Sequence, residues 1–240
     1  MSNQEKIESF RKIINESDNI VFFGGAGVST ESGIPDFRSK DGLYNQTYAY
    51  PPEEILSHSF FKKHPKEFFR FYRDKLNALS YEPNITHLKL TELEKHGKLK
   101  AIVTQNIDGL HQKAGSKHVY ELHGSIYRNY CMKCHKFYDA EFVFNKSSLP
   151  NCECGGLVKP DVVLYEEGLD QEVVSKAINA ISMADTLIIA GTSLTVYPAS
   201  GLVNYFKGKN LILINRDSIS FNYKIDLVIN DSLGNVFKSI

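Results

Sequence analysis

The chain has 240 residues, 42% of them hydrophobic and 23% charged, and its 28 basic residues are matched by 28 acidic ones. A formal charge of zero argues against broad electrostatic binding to nucleic acid or an anionic membrane, and no apolar run approaches the ~20 residues of a membrane span. Glu5, Glu8, Glu16 and Asp18 break up the first apolar positions, so no signal peptide is expected. The four clustered cysteines point to metal rather than disulfides, and so to the cytoplasm.

Ile7, Phe10, Ile13 and Ile14 recur at helical spacing and predict an amphipathic N-terminal helix. Asn19-Ile20-Val21-Phe22-Phe23 then reads as a short buried strand. It runs into Gly25-Ala26-Gly27-Val28-Ser29, a turn whose backbone N–H groups can approach an anion with no Cβ in the way. A dehydrogenase fingerprint needs glycine where Thr30 stands, and an acidic residue about 20 positions on that closes a second strand. The chain instead reaches Tyr50-Pro51-Pro52, which no central strand tolerates. The turn suggests a dinucleotide held otherwise than in a dehydrogenase. Ser29, Ser32 and Asp36 can bond loop N–H groups and Pro35 stops a helix. Asp36, Phe37 and Arg38 then form a loop able to shield and orient a reactive carbon.

Residues 53–80 read as helical, with an aromatic stripe (Phe60, Phe61, Phe68, Phe69, Phe71, Tyr72) of the kind that usually builds core. Tyr72 and Lys75, three apart, can face the same space. Leu99-Lys100-Ala101-Ile102-Val103 is a second strand, ending in Thr104-Gln105-Asn106-Ile107-Asp108-Gly109-Leu110-His111. In open α/β sheets ligands collect at the carboxyl ends of strands, and Gln105, Asn106 and Asp108 supply the donors, acceptors and carboxylate that suit a ribose and a carboxamide. Val119-Tyr120-Glu121-Leu122 is a third strand that aims His123, followed by Gly124, at the same edge. His123 is the candidate general base, with His111 as its rival.

Cys131-Met132-Lys133-Cys134 and Cys152-Glu153-Cys154 form two close thiol pairs at a separation that suits one tetrahedral Zn²⁺. Four sulfurs fill the shell without His135, so the metal is expected to be structural. Val162-Val163-Leu164-Tyr165 and residues 186–190 read as strands on either side of a helix over 170–182. Gly191-Thr192-Ser193 is a second N–H cradle, before a helix that follows Pro198. Strands 211–214 and 227–229 end at Asn215 and near Asp231. Strands alternating with helices predict an α/β fold with a mostly parallel sheet.

The Gly25–Arg38 stretch, Thr104–His111, His123-Gly124, the cysteine pairs and Gly191-Thr192-Ser193 occur in the order of the sirtuin family, which the chain resembles over about residues 24–231. The resemblance implies an NAD-dependent protein lysine deacylase. It also implies a Rossmann-like NAD-binding domain (1–39, 84–126 and 158–240), a helical insertion (40–83) and a zinc-binding module (127–157). By that resemblance Ala26, Thr30, Phe37 and Arg38 lie along the phosphates and nicotinamide ribose, with Phe37 keeping water off the reacting carbon. Gln105 holds that ribose, and Asn106 and Asp108 bind the carboxamide. Gly191, Ser193, Asn215 and Asp231 take the adenosine half, His123 is the base, and residues 162–165 pair with an acylated-lysine peptide. The family usually has Phe-Gly-Glu where this chain has Tyr165-Glu166-Glu167. Tyr72 and Lys75 fall where members that remove succinyl-type groups carry tyrosine and arginine, which suggests some activity on acidic acyl groups. The competing readings are an ADP-ribosyltransferase at the same site, a redox dehydrogenase and a non-enzymatic zinc protein.

Overall fold

Five consecutive buried residues, Ile20–Gly24, form strand β1, and the rest of the large sheet is laid down on either side of it. The computed structural model describes residues 1–36, 49–217 and 224–240. Helix α1 (Asn3–Glu16) precedes β1 and starts on a capping box in which Ser2 and Glu5 satisfy each other's backbone N–H groups. Three short helices follow, α2 (Pro52–Ile55), α3 (His58–Lys63) and α4 (Pro65–Lys75). The single helical tract expected over 53–80 is broken twice, because Ser57 starts a new helix as its N-cap and Pro65 cannot continue the one before it.

Helix α5 (Ile85–Lys95) leads to β2 (Leu99–Thr104), and the short α6 (Leu110–Lys113) leads to β3 (Val119–Glu121). Then come β4 (Gly124–Cys131), β5 (Phe137–Tyr138), α7 (Ala140–Phe144) and β6 (Val158–Val162). The chain closes with α8 (Gln171–Met183), β7 (Thr186–Ala190), a 3-10 segment (Ala199–Tyr205), β8 (Asn210–Ile214), β9 (Leu227–Ile229) and α9 (Leu233–Phe237).

The large sheet has the order β3-β2-β1-β7-β8-β9 and is parallel throughout, as the alternating pattern requires. Its faces follow from the period-2 geometry of β1. Ile20 and Phe22 enter one core with Phe10, Ile14 and Phe237, while Val21 and Phe23 enter the other with Leu187, Ile189 and Ile181. A second, antiparallel sheet of order β5-β4-β6 shares a third core with the aromatic stripe, where Phe60, Phe61, Phe68, Phe69 and Tyr72 pack with Ile126 and Phe144.

Two details correct the sequence reading. The strand expected at residues 162–165 is β6, which ends at Val162 in the small sheet; Val163, Leu164 and Tyr165 continue beyond it. Strand β4 lacks a clean alternation and escapes pattern reading, although it spans 8 residues. Among the described residues no helix is long and apolar enough to cross a membrane.

Helix α1 has no basic residue in its last turn, and Lys98, which immediately precedes β2, supplies the missing cation. Its Nζ donates to the carbonyls of Ile14 (3.2 Å), Asn15 (2.8 Å) and Ser17 (2.9 Å), a charge-assisted cap on otherwise orphaned acceptors. Lys98→Met keeps the stem and removes the donors, and it is expected to cost about 1–2 kcal/mol in a urea or thermal melt.

Candidate functional site

β1, β2 and β7 end side by side, and the loops that leave them enclose a cavity of about 630 Å³. The chain departs to β2 on one side of β1 and returns as β7 on the other, so this is the switch point of the sheet. Two loops meet there through backbone alone. Gly25 N–H donates to the Ala190 carbonyl (3.2 Å) and Gly27 N–H to that of Gly191 (2.8 Å). A Cβ on Gly25 would lie 2.7 Å from Cβ of Thr192, and one on Gly27 would lie 2.7 Å from Cα of Gly191.

Gly25, Ala26, Gly27, Thr30, Asp36, Gln105, Asn106, Asp108, His123, Gly191, Thr192, Ser193, Asn215 and Asp231 all line this one cavity. Phe37 and Arg38 lie outside the described residues. Ser29, expected to serve its own loop's N–H groups, does something else. Its Oγ donates to Asp108 Oδ2 (2.6 Å) and accepts from Asn106 Nδ2 (3.1 Å). The partners are far apart in the chain, and no local pattern signals the contact. Asp108 Oδ1 accepts from the Leu110 N–H (2.9 Å). Burial pushes the Asp108 carboxyl up from its ordinary value, and the bonds from Ser29, Leu110 and Asn106 work against that rise.

His123 is held by its own neighbourhood. Nδ1 lies 3.0 Å from the Gln105 carbonyl. A carbonyl only accepts, so the proton sits on Nδ1 and the lone pair on Nε2. Burial lowers the His123 pKa, opposed by that same bond, which leaves a neutral imidazole with a free basic nitrogen. Gln105 Nε2 in turn donates to Thr192 Oγ1 (3.0 Å). On the opposite side, Asp231 is fixed by Asn3 (2.8 Å) and Asn235 (3.1 Å). Burial works upward on its carboxyl, but the bonds from Asn235, Asn3 and Ser232 win and hold it low.

His111 does not reach the cavity. It is buried against Phe22 and His87, the latter ring 4.7 Å away, and neither of its nitrogens has a partner among the described residues. Tyr72 does not reach it either. Fully buried, it stacks between Phe68 (5.7 Å) and Phe144 (5.2 Å), its hydroxyl without a partner among the described residues and its pKa pushed well up by burial. Lys75 does line the cavity, 3.0 Å from Asp74, so the expected Tyr72–Lys75 pair does not form there.

Val162, Val163, Leu164 and Tyr165 line the cavity as an extended segment. Val163 N–H donates to the His123 carbonyl (3.0 Å), and Tyr165 exchanges bonds with Leu56 O (2.9 Å) and His58 N (3.0 Å).

The four cysteines are free thiols with Sγ atoms within 4.8 Å of one another. Cys131 and Cys154 approach to 3.5 Å, Cys134 and Cys152 to 3.6 Å. Sulfurs about 2.3 Å from a tetrahedral Zn²⁺ would stand about 3.8 Å apart, so the donor set fits that ion. The Tyr138 hydroxyl donates to Cys152 Sγ (3.1 Å), and it is the first among several hydrogen bonds that lower the Cys152 pKa to about 6.

Residues 25–198 match the model of the Sir2 family. Among curated proteins, the chain is 61% identical to an NAD-dependent protein deacetylase of Clostridium perfringens over 240 residues, covering 98% of each chain. It is 44% identical to one from Staphylococcus aureus, covering 98% of this chain and 97% of that one. Among solved structures, a Sir2 variant with a deacetylated p53 peptide and 3′-O-acetyl ADP-ribose superposes with a TM-score of 0.89 at 36% identity, covering 97% and 96% of the two chains. A Sir2–p53 peptide–NAD⁺ complex gives 0.85 at 37% identity, covering 97% and 95%.

Two measurements test the site's framework. Elemental analysis is expected to find one zinc per chain, and Cys134→Ser, like a strong chelator, is expected to abolish the small unit's cooperative melting. The second is acid sensitivity. Burial holds His87 at about 4 and His111 well below its ordinary value. Below the unfolded value of ~6.5, the unfolded chain binds protons that the folded one refuses. Stability should therefore fall as pH drops from ~6.5 toward 4, by up to ~1.4 kcal/mol per unit for each such histidine. Urea melts at pH 7 and 5 check this, with His87→Gln flattening the slope.

Proposed function

Because the chain belongs to the Sir2 family, we propose that it is an NAD-dependent protein lysine deacylase, which releases nicotinamide and passes the acyl group of a modified lysine to ADP-ribose. The observation that carries the reading is the meeting of two kinds of group in one cavity. The Asn106–Ser29–Asp108 cluster and a neutral His123 with a bare Nε2 both line it.

Bound NAD supplies the glycosidic carbon at which an amide oxygen can attack. The remaining work falls to the chain. Asn106 and Asp108, locked through Ser29, orient the nicotinamide carboxamide, and Gln105 orients the adjoining ribose. Gly25, Ala26, Gly27, Thr30 and Asp36 border the phosphates and that ribose, while Gly191, Thr192, Ser193, Asn215 and Asp231 take the adenosine half. His123 Nε2 accepts a proton from a ribose hydroxyl. An acyl-lysine peptide lies along residues 162–165, recognised through its backbone and so tolerant of sequence. Zinc in the Cys131, Cys134, Cys152 and Cys154 site leaves no open position and serves structure.

In domain terms we read 1–39, 84–126 and 158–240 as the NAD-binding domain, 40–83 as a helical insertion and 127–157 as the zinc-binding module. Four unpaired thiols in a ligand cluster suit a reducing compartment, and we place the protein in the cytoplasm.

Mass spectrometry of the protein mixed with NAD and a panel of acyl-lysine peptides is expected to find free nicotinamide, acyl-ADP-ribose and unmodified lysine. ADP-ribose left on protein would instead mark a transferase. His123→Ala should lose about 10²–10⁴-fold in turnover while still binding NAD. Because its pKa lies below the ordinary value, the acid limb of kcat/KM should fall below pH ~6.5.

A further inference from the structure

The pairing of β4 with β6 breaks shortly after His123 and Gly124. Gly124 and Ser125 pair with Val162 and Asp161, but the next partner of β6, Pro160, pairs with Asn129. Residues 126–128 are left out of the ladder as a bulge. Each of the three is committed elsewhere. The Ile126 N–H donates to the Ile107 carbonyl (3.1 Å), between Asn106 and Asp108. The Tyr127 ring lies where a side chain on Gly109 would be, 2.6 Å from that Cβ position. Arg128 reaches Glu121 with one nitrogen (2.7 Å) and Asp161 with another (2.7 Å). Glu121 stands two residues before His123. The Asp161 carbonyl sits 1.9 Å from where a Cβ on Gly124 would fall, so its strand abuts the residue after His123. Asn129 Nδ2 closes the bulge on the Ile126 carbonyl (3.2 Å).

We infer that this bulge is a bracket that sets the carboxamide loop and the base in register, with Tyr127 and Arg128 as positioning residues for the deacylation proposed above. Arg128 ties the strand that carries His123 to β6, the strand that leads into the peptide segment. A planar fork is needed to meet both carboxylates at once. Ile126 and Tyr127 hold the loop of Asn106 and Asp108 through the Ile107 carbonyl and the space beside Gly109. The two arms therefore act on different steps, Arg128 on proton transfer and Tyr127 on the carboxamide.

Zinc-loaded Arg128→Gln, Arg128→Lys and Tyr127→Ala proteins, assayed with NAD and an acetyl-lysine peptide, test this. Arg128→Gln is expected to lose on the order of 10²-fold in kcat, with KM for NAD staying within about twofold. Arg128→Lys, which keeps the charge without the fork, should recover part of the loss. Tyr127→Ala is expected to raise the inhibition constant of nicotinamide several-fold and leave the peptide KM in place. An unchanged kcat in Arg128→Gln, a loss that tracks the KM for NAD, or wild-type nicotinamide inhibition in Tyr127→Ala overturns the inference. Should Arg128→Gln fail to fold, Tyr127→Ala decides, since that side chain is 36% exposed. Wild-type turnover in the same assay separates failure of the bracket from failure of the deacylase reading on which it rests.

Discussion

Two loops that touch through their backbones are the constraint on which this site depends. β1 and β7 are neighbours in register from Ile20–Thr186 to Gly24–Ala190, and the loops that continue them stay in contact one residue further on. With the Gly27 N–H 2.8 Å from the Gly191 carbonyl, no side chain fits on either partner. The contact keeps the ends of the central strands closed. It also leaves the loops facing the cavity as bare backbone, the surface that a diphosphate can approach most closely. A larger residue here would do more than weaken a contact, because it would wedge apart the strands that carry everything else.

On that floor, burial presses Asp108 and His123 toward neutrality, and the structure resists it at one of them. Asp108 is pushed up, yet three donors aim at it, so the polar environment favours the carboxylate. His123 is pushed down, and nothing opposes the shift except one carbonyl that fixes the tautomer. The outcome is a chain of hydrogen bonds with a defined direction: Asn106 donates to Ser29, and Ser29 to Asp108. Inside a low-dielectric cavity such a chain polarises its own members and holds their rotamers, which is what orienting a planar amide requires.

Much of this was legible in the sequence, where the signal is local. β1, β2 and β7 read as strands because each is a short β-branched run that ends in glycine or polar residues. His123 and the Gln105–Asp108 run stood out because they end strands. The cysteine spacing alone announced the cluster. What stayed illegible depends on contacts between distant segments. Ser29 looked like a loop cap, since nothing near it in the chain asks for a donor to a carboxylate 79 residues on. Tyr72 belongs to the stripe that reads as core, while its spacing from Lys75 also leaves open a place beside the cavity; the rings of Phe68 and Phe144 settle it for the core, through a contact of α4 with α7 that the sequence does not signal. The strand at 162–165 was shifted because Pro160 and the bulge opposite it obscure where the ladder runs.

The segment that follows β6 runs along the cavity and is held there from several sides. An unpaired strand edge invites aggregation, and here backbone bonds from Val163 and Tyr165 to His123, Leu56 and His58 are joined by side-chain bonds that secure Val163–Glu167. Glu167 accepts from His58 (2.7 Å), Lys159 (3.0 Å) and the Leu164 N–H (2.9 Å), so one half-buried carboxylate ties the segment to α3 and to β6 together. Replacing a single partner would strand a charge in a poorly solvated place, which makes such networks rigid where they are satisfied. Glu166 adopts φ 74, a left-handed conformation that glycine takes without cost, and keeps it because its carboxylate caps Ser59 at the start of α3. Strain is thus accepted at a residue that lines the cavity and offset by the bonds of its carboxylate to Ser59. Held by these bonds, the segment needs little ordering by whatever pairs with it, so little binding energy is spent there.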